Sequence, residues 1–280
     1  MKRVTFFWII IGLMLFSSCR DKELDMTLVQ KTLYEGVTID EITAKDAWDV
    51  VVVQDENTYV ELEYSAFLED YLKIQQEGTA FSIGFTSHLS FPSSTVMNVK
   101  IHTPEVHKLK FSDAVFAALD GLNVTGITLE LEDAAACRGG HFYGSADIEL
   151  SDASKCVEFY FEGTICKVEL EDASDFKGCL KVTGNLTMTV QDASHATDYW
   201  GEINHADVEV SDASYLNMAT SWITRMNIRV KDASEATVNV TESLEGFVHD
   251  ASELYYSGDP VLNVDCDTSS ILQQVDYPNP

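Results

Sequence analysis

An Asp-Ala pair returns along this chain at Asp113, Asp133, Asp152, Asp172, Asp192, Asp212, Asp232 and Asp250, at intervals of 20, 19, 20, 20, 20, 20 and 18 residues. In the last six copies a Ser follows, so the unit reads Asp-Ala-Ser. A fixed period of this size marks a stacked repeat, in which each unit buries its apolar side only against its neighbours. One more Asp-Ala, at Asp46, falls outside the period and is not counted with the eight.

Aligning the copies on the Asp shows what repeats. Two places before it stand Phe111, Leu131, Leu150, Leu170, Val190, Val210, Val230 and Val248. Four places before it the residue is apolar in seven copies, with Gly246 the exception, and the place immediately before it is polar in all eight. Alternation with period two and one apolar face predicts a strand, because a helix needs apolar spacings of three and four. A strand and its return path in 20 residues, stacked eight times, predict an all-β fold: a parallel β-helix, or β-solenoid, of about eight rungs. An antiparallel sandwich also has many short strands, but it gives no reason for the same residue to recur at one offset. At the corner, Asp tolerates unusual backbone angles, and its carboxylate can accept the N–H two residues on in an Asx-turn. Ala beside it leaves room for a tight bend.

The N-terminus reads as an address. Lys2 and Arg3 precede an apolar run from Val4 to Phe16, too short to span a bilayer but suited to a secretion signal. Ser17, Ser18 and Cys19 follow, an order that resembles the lipobox of bacterial lipoproteins, in which cleavage precedes the Cys and its thiol carries lipid. The alternative is an ordinary signal peptide with an unmodified Cys19. The organisation expected is a signal peptide over 1–18, a tether over 19–33, a β-rich lead-in and cap over 34–108, the repeat β-helix over 109–257 and a C-terminal cap or tail over 258–280.

Strands of this length joined by a small-residue corner every 20 residues, after a β-rich lead-in holding Val50 to Val53 and Tyr59 to Tyr64, resemble the autotransporter-adhesin head GIN domain family. The likeness covers roughly residues 35–257. It implies a right-handed β-helix of pectin-lyase-like shape, without known catalytic residues, and a part in adhesion. Family members carry Ser-Gly-Ser-Gly at the corner, where this chain has Ser151-Asp152-Ala153-Ser154 and its equivalents.

Candidate chemistry comes from three side-chain sets. The stacked carboxylates of Asp152, Asp172, Asp192, Asp212 and Asp232 either face solvent as turn residues or hold a column of Ca²⁺, since oxygen-rich sites suit hard cations. No other cofactor and no catalytic residue is expected. Cys137 and Cys156 occupy one inward column on adjacent rungs, as buried thiols or as a bridge. Tyr160, Tyr199, Trp200 and Trp222 lie away from the Asp corner, where they either plug the opposite bend or face outward as a ligand-binding surface.

Composition narrows the partners. With 46 acidic against 18 basic residues, a formal −28, the surface cannot gather the Lys and Arg that phosphates require, which excludes nucleic acid. The His residues lack zinc-site spacings, and Arg229 and Lys231 read as a solvated rim rather than as a catalytic base. The sequence therefore predicts a lipoprotein of a Gram-negative cell envelope, on the outer membrane, held by a lipid anchor on Cys19 and serving as a binding or adhesion module for a glycan or a surface protein. A scaffold assembling with other envelope proteins is the alternative, and a carbohydrate-active enzyme the third class.

Overall fold

The structure, a computed structural model, describes residues 24–87 and 90–276. The signal segment and Cys19 lie outside the described residues, as do Pro278 and Pro280. The lead-in consists of β1 (Leu28–Leu33), β2 (Glu41–Ala44), β3 (Asp49–Gln54), β4 (Tyr59–Ser65), β5 (Leu72–Glu77), β6 (Ala80–Phe85) and β7 (Met97–Thr103), with one 3-10 turn at Ala66–Leu68. The coils follow as β8 (Lys108–Phe111), β9 (Phe116–Ala118), β10 (Asn123–Leu131), β11 (Ala136–Arg138), β12 (His141–Leu150), β13 (Lys155–Leu170), β14 (Asp175–Val190), β15 (His195–Val210), β16 (Tyr215–Val230) and β17 (Glu235–Val248). Three short strands end the chain: β18 (Glu253–Ser257), β19 (Val261–Cys266) and β20 (Ile271–Gln274). Among the described residues no helix is long and apolar enough to cross a membrane.

From β8 to β20 every pairing is parallel and links equivalent positions of successive coils, so the fold is a β-solenoid. Ile148, Val168, Met188, Val208 and Ile228 form one file in that register, and all are buried. In the core after the corner, Phe142 stacks on Phe159 with ring centroids 4.7 Å apart, and Phe159 meets Phe176 at a tilt with centroids 5.7 Å apart. Each long strand bends twice, where its ladder to the next coil breaks. The breaks fall near Cys156/Phe159, Gly178/Cys179 and Met218/Ile223, and again near Gly144/Ser145, Gly163/Ile165 and Val182/Asn185. A coil is thus three straight segments joined by the Asp-Ala corner and two softer bends.

The corner is tighter than an Asx-turn. At all eight positions both residues are left-handed, Asp with φ of 51 to 59° and Ala with φ of 59 to 62°. Two consecutive left-handed residues make a type I′ turn. It is closed by N–H donation from the fourth residue to the carbonyl of the first, as from Ser154 to Ser151 at 3.2 Å and from Ala135 to Glu132 at 3.1 Å. The turn aims the Asp carbonyl and the Ala N–H along the solenoid axis. Ala153 N–H meets the Asp172 carbonyl at 2.8 Å, and the same bond recurs from Ala114 to Ala233 at 2.8–2.9 Å. The Ser completes the unit from inside. Its hydroxyl is buried and accepts the backbone N–H of the Ser one coil earlier, as Ser194, Ser214, Ser234 and Ser252 do at 3.1–3.2 Å.

Two segments depart from the sequence expectation. Asp46 and Ala47 share the left-handed corner geometry (φ 68 and 57°), and Ala47 N–H reaches the Asp113 carbonyl at 2.8 Å. They form a further corner between β2 and β3, which stack in parallel on β8 and β9. The period is hidden because β4 to β7 are inserted before the next coil. At the other end, β19 and β20 pair in parallel with β17 and β18, continuing the winding over 261–274. Cys266 thereby sits beside Val248, in the column that precedes each corner. This last turn, unlike the repeated corners, has the Asx geometry. Asp267 Oδ1 accepts the Ser269 N–H at 3.0 Å, and Oδ2 accepts the Asp250 N–H at 2.9 Å. Those donors, Asp250 first, hold its carboxyl well below the usual range. The two ends differ: antiparallel β1, β4 and β5 close the first coils, whereas β19 leaves Val261 74% exposed.

Left-handed geometry costs a residue with a Cβ about 1–2 kcal/mol, and more for a branched one. Ala193→Gly should therefore hold or raise stability by up to about 1 kcal/mol, whereas Ala193→Val should lower it by roughly 2 kcal/mol. Urea unfolding of the two variants beside the parent checks this ranking, and equal losses would contradict the left-handed corner.

Candidate functional site

The middle segment of each coil, opposite the Asp-Ala corner, presents two outward columns. One runs His141, Tyr160, Cys179, Trp200 on β12 to β15, and the other runs Tyr143, Glu162, Lys181, Glu202, Trp222 on β12 to β16. Phe161, Leu180, Gly201 and Ser221 lie between them in register and are buried. Strand parity thus brings Tyr160, Trp200 and Trp222 onto one outer face. Trp200 is 38% and Trp222 48% exposed, so neither plugs a bend. The neighbouring Tyr199 is the extra residue of a bulge, and it does not take a place in either column.

The rings are held at their edges. Tyr160 stacks on His141 with centroids 4.8 Å apart and donates its hydroxyl proton to Glu162 Oε2 at 3.1 Å. Burial first, and the Glu162 carboxylate second, push that hydroxyl up to about 12. Lys181 Nζ lies 5.3 Å from the Trp200 ring centroid, a cation–π contact. Beside it a trough of about 460 Å³ runs over Glu162, Lys181, Thr183, Glu202, Asn204 and Trp222.

One residue beneath this face escaped the sequence reading. The ladder pairs Gly178 with Asp198 and Cys179 with Trp200, so Tyr199 is inserted. A bulge reverses the alternation locally. Asp198, before the insertion, keeps the inward side of Ala196 and is 5% exposed, while Trp200 beyond it turns outward. Its Oδ1 accepts the Trp200 N–H at 3.1 Å, its Oδ2 accepts the Ser221 hydroxyl, and its carbonyl accepts the Thr220 hydroxyl at 3.0 Å. Gly201 makes room for this arrangement, since a Cβ there would stand 2.5 Å from Asp198 Oδ2 and 2.4 Å from the Leu180 carbonyl oxygen. Burial raises the Asp198 carboxyl to about 6, against the opposing pull of Ser221 and the Trp200 and Leu180 N–H groups. The nearby Cys166 and Cys179 thiols are also raised by burial, Cys179 to about 11. A sequence signal for Asp198 exists: six places after the corner, where it stands, later coils hold Met218 and Val238.

The remaining candidates are placed as follows. Asp152, Asp172, Asp192, Asp212 and Asp232 stand in a single exposed file, one per coil. Among the described residues no three or more His, Cys, Asp or Glu groups converge as a metal site would require. The Cys137 and Cys156 sulfurs face each other at 3.2 Å in the core, beyond the roughly 2.05 Å of a disulfide bond. The contact with Cys137, followed by burial, holds the Cys156 thiol well above its usual range. Arg229 reaches Asp207 at 3.1 Å and Glu209 at 3.3 Å, and Lys231 reaches Glu209 at 2.8 Å. These basic groups are engaged in ion pairs across coils.

Comparison with known proteins agrees with this architecture. The family profile described as "Putative auto-transporter adhesin, head GIN domain" matches residues 38–260. A solved structure from Parabacteroides merdae called a "putative adhesin" is 14% identical with a TM-score of 0.55, over 89% of this chain and 96% of that one. A Parabacteroides distasonis "putative adhesin" is also 14% identical with a TM-score of 0.55, over 90% and 98%. A third, from the same organism and called a "putative lipid binding protein", is 15% identical with a TM-score of 0.56, again over 90% and 98%. Among curated proteins none matches the chain.

The raised Asp198 carboxyl has a consequence for stability. Its folded value of about 6 lies above the ordinary 3.8, so folding favours the protonated form. Stability from this group is complete below about pH 3.8 and is lost as pH rises through about 6. Asp198→Asn should therefore gain roughly 2–3 kcal/mol over the parent at pH 7.5, and this advantage should fade by pH 4. Paired urea melts at the two pH values measure it, and a pH-independent difference would mean that Asp198 does not titrate in the fold.

Proposed function

Since the chain belongs to the auto-transporter adhesin, head GIN domain family, we propose that it is a binding or adhesion module of the cell envelope, anchored through a lipidated Cys19. Its contact surface is the outer face carrying Tyr160, Trp200 and Trp222. The observation that supports this reading most strongly is the exposure of two Trp side chains, Trp200 and Trp222, on adjacent coils of one outer face. Exposed Trp and Tyr on a rigid scaffold give large contact area at little entropic cost, as binding surfaces need. A lipidated N-terminus fits the same role, because the acidic surface offers anionic head groups no attraction.

A second reading, a scaffold that assembles with other envelope proteins, is favoured by one feature. The last coil ends in parallel strands whose outer edge is uncovered among the described residues, with Val261, Leu262 and Ile271 exposed. Such an edge can accept a strand from another chain.

Cells expressing the full chain test the first reading. Protease added to intact cells should cut it, Cys19→Ala should abolish incorporation of a labelled fatty acid, and the double variant Trp200→Ala/Trp222→Ala should lower adhesion to a mucin-coated surface at least several-fold. Undiminished adhesion by the double variant would reject the aromatic face as the contact surface, and protection from protease would favour the internal scaffold.

A further inference from the structure

We propose that the aromatic face takes an uncharged, extended polysaccharide lying parallel to the solenoid axis, across the coils from Tyr160 to Trp222. This assignment rests on the binding-module reading and names its ligand class.

Spacing is the first argument. Tyr160 and Trp200 share a column two coils apart, which at about 4.8 Å per coil is roughly 9.6 Å. One coil step is close to the length that a single pyranose adds to an extended chain. Platforms two coils apart therefore meet every second sugar ring, the rings that present the same face in a chain of alternating orientation. Trp222 lies one coil further on and two residues along the strand, beside Glu202. It offers a third platform, in the lining of the trough.

Hydrogen bonding is the second argument. Sugars carry hydroxyls around an apolar ring face, and a matching site sets donors and acceptors beside aromatic planes. Glu162, Thr183, Glu202 and Asn204 are exposed on the same face as the Trp rings. Charge is the third argument. Two carboxylates stand against the lone cation of the trough, Lys181, and that cation is already over the Trp200 ring. With a formal −28 on the chain, a polyanion such as a uronate or sulfated polymer meets repulsion throughout its approach. Asp198 adds a positioning role: its bond to the Trp200 N–H fixes the bulge that turns that ring outward.

Calorimetric titration of the purified full chain tests the assignment. The probes are neutral hexasaccharides of glucose, mannose and N-acetylglucosamine, the corresponding trisaccharides, hexagalacturonate and hexalysine. At least one neutral hexasaccharide should bind saturably, and at least tenfold more tightly than its trisaccharide, which spans fewer platforms. Trp222→Ala should weaken it at least tenfold, and Trp222→Phe should restore part of the loss. Melting curves matching the parent confirm that both variants are folded, as expected for an exposed side chain. Absence of saturable binding by every neutral hexasaccharide overturns the proposal, as does equal binding by the trisaccharide, undiminished binding by Trp222→Ala, or binding confined to hexagalacturonate or hexalysine. If the sugars fail while the Trp variants still lose adhesion on cells, the ligand class is wrong and the contact face stands; if adhesion is also unchanged, the binding-module reading falls with it.

Discussion

The backbone bond between an Ala N–H on one coil and an Asp carbonyl on the next sets the spacing on which everything else in this solenoid depends. Both residues are left-handed at every corner, which keeps their peptide groups along the axis where the chain reverses direction. Once those bonds are in place, the side chains on either side fall into files. Ile148, Val168, Met188, Val208 and Ile228 meet in the core, and the Ser hydroxyls meet the N–H groups of preceding corners. The strain of two left-handed residues per coil is offset by the backbone bonds that join each corner to the next and by the buried Ser beside it. Asp suits the first place because its short polar side chain tolerates that region. The structure gives no comparable reason for Ala over Gly at the second.

Much of this was legible in the chain because a solenoid repeats its contacts in sequence order. Period-two columns identified strands, and a constant offset identified stacking. What remained hidden has particular causes. Asp46 and Ala47 were set aside because β4 to β7 interrupt the period, although the corner geometry is the same. The Asx reading of the repeated corners failed because Asp is compatible with both an Asx-turn and a left-handed residue, and only backbone angles separate the two. At Asp267, without the following Ala, the turn of the winding takes the Asx form.

The candidate surface was less legible for a related reason. Alternation would place Asp198 and Trp200 on the same side of β15, and the inserted Tyr199 breaks that inference. One extra residue, just past a carboxylate that already faces inward, exposes an indole. Tyr160 and Trp222 stand beside ladder breaks of their own, and their shared face emerges only when register aligns the coils. The site is therefore a product of stacking: no single coil carries it.

The two ends of the solenoid are not equivalent. Antiparallel strands finish the N-terminal side, whereas the last coil offers the same parallel edge that each earlier coil offered to its successor. Because contacts pass only between adjacent layers, the molecule resembles a stack of tiles more than an arch. Gene duplication or loss of one twenty-residue layer would lengthen or shorten the rod by a single step while leaving the remaining joints intact, so evolution can adjust its reach without redesigning its interior.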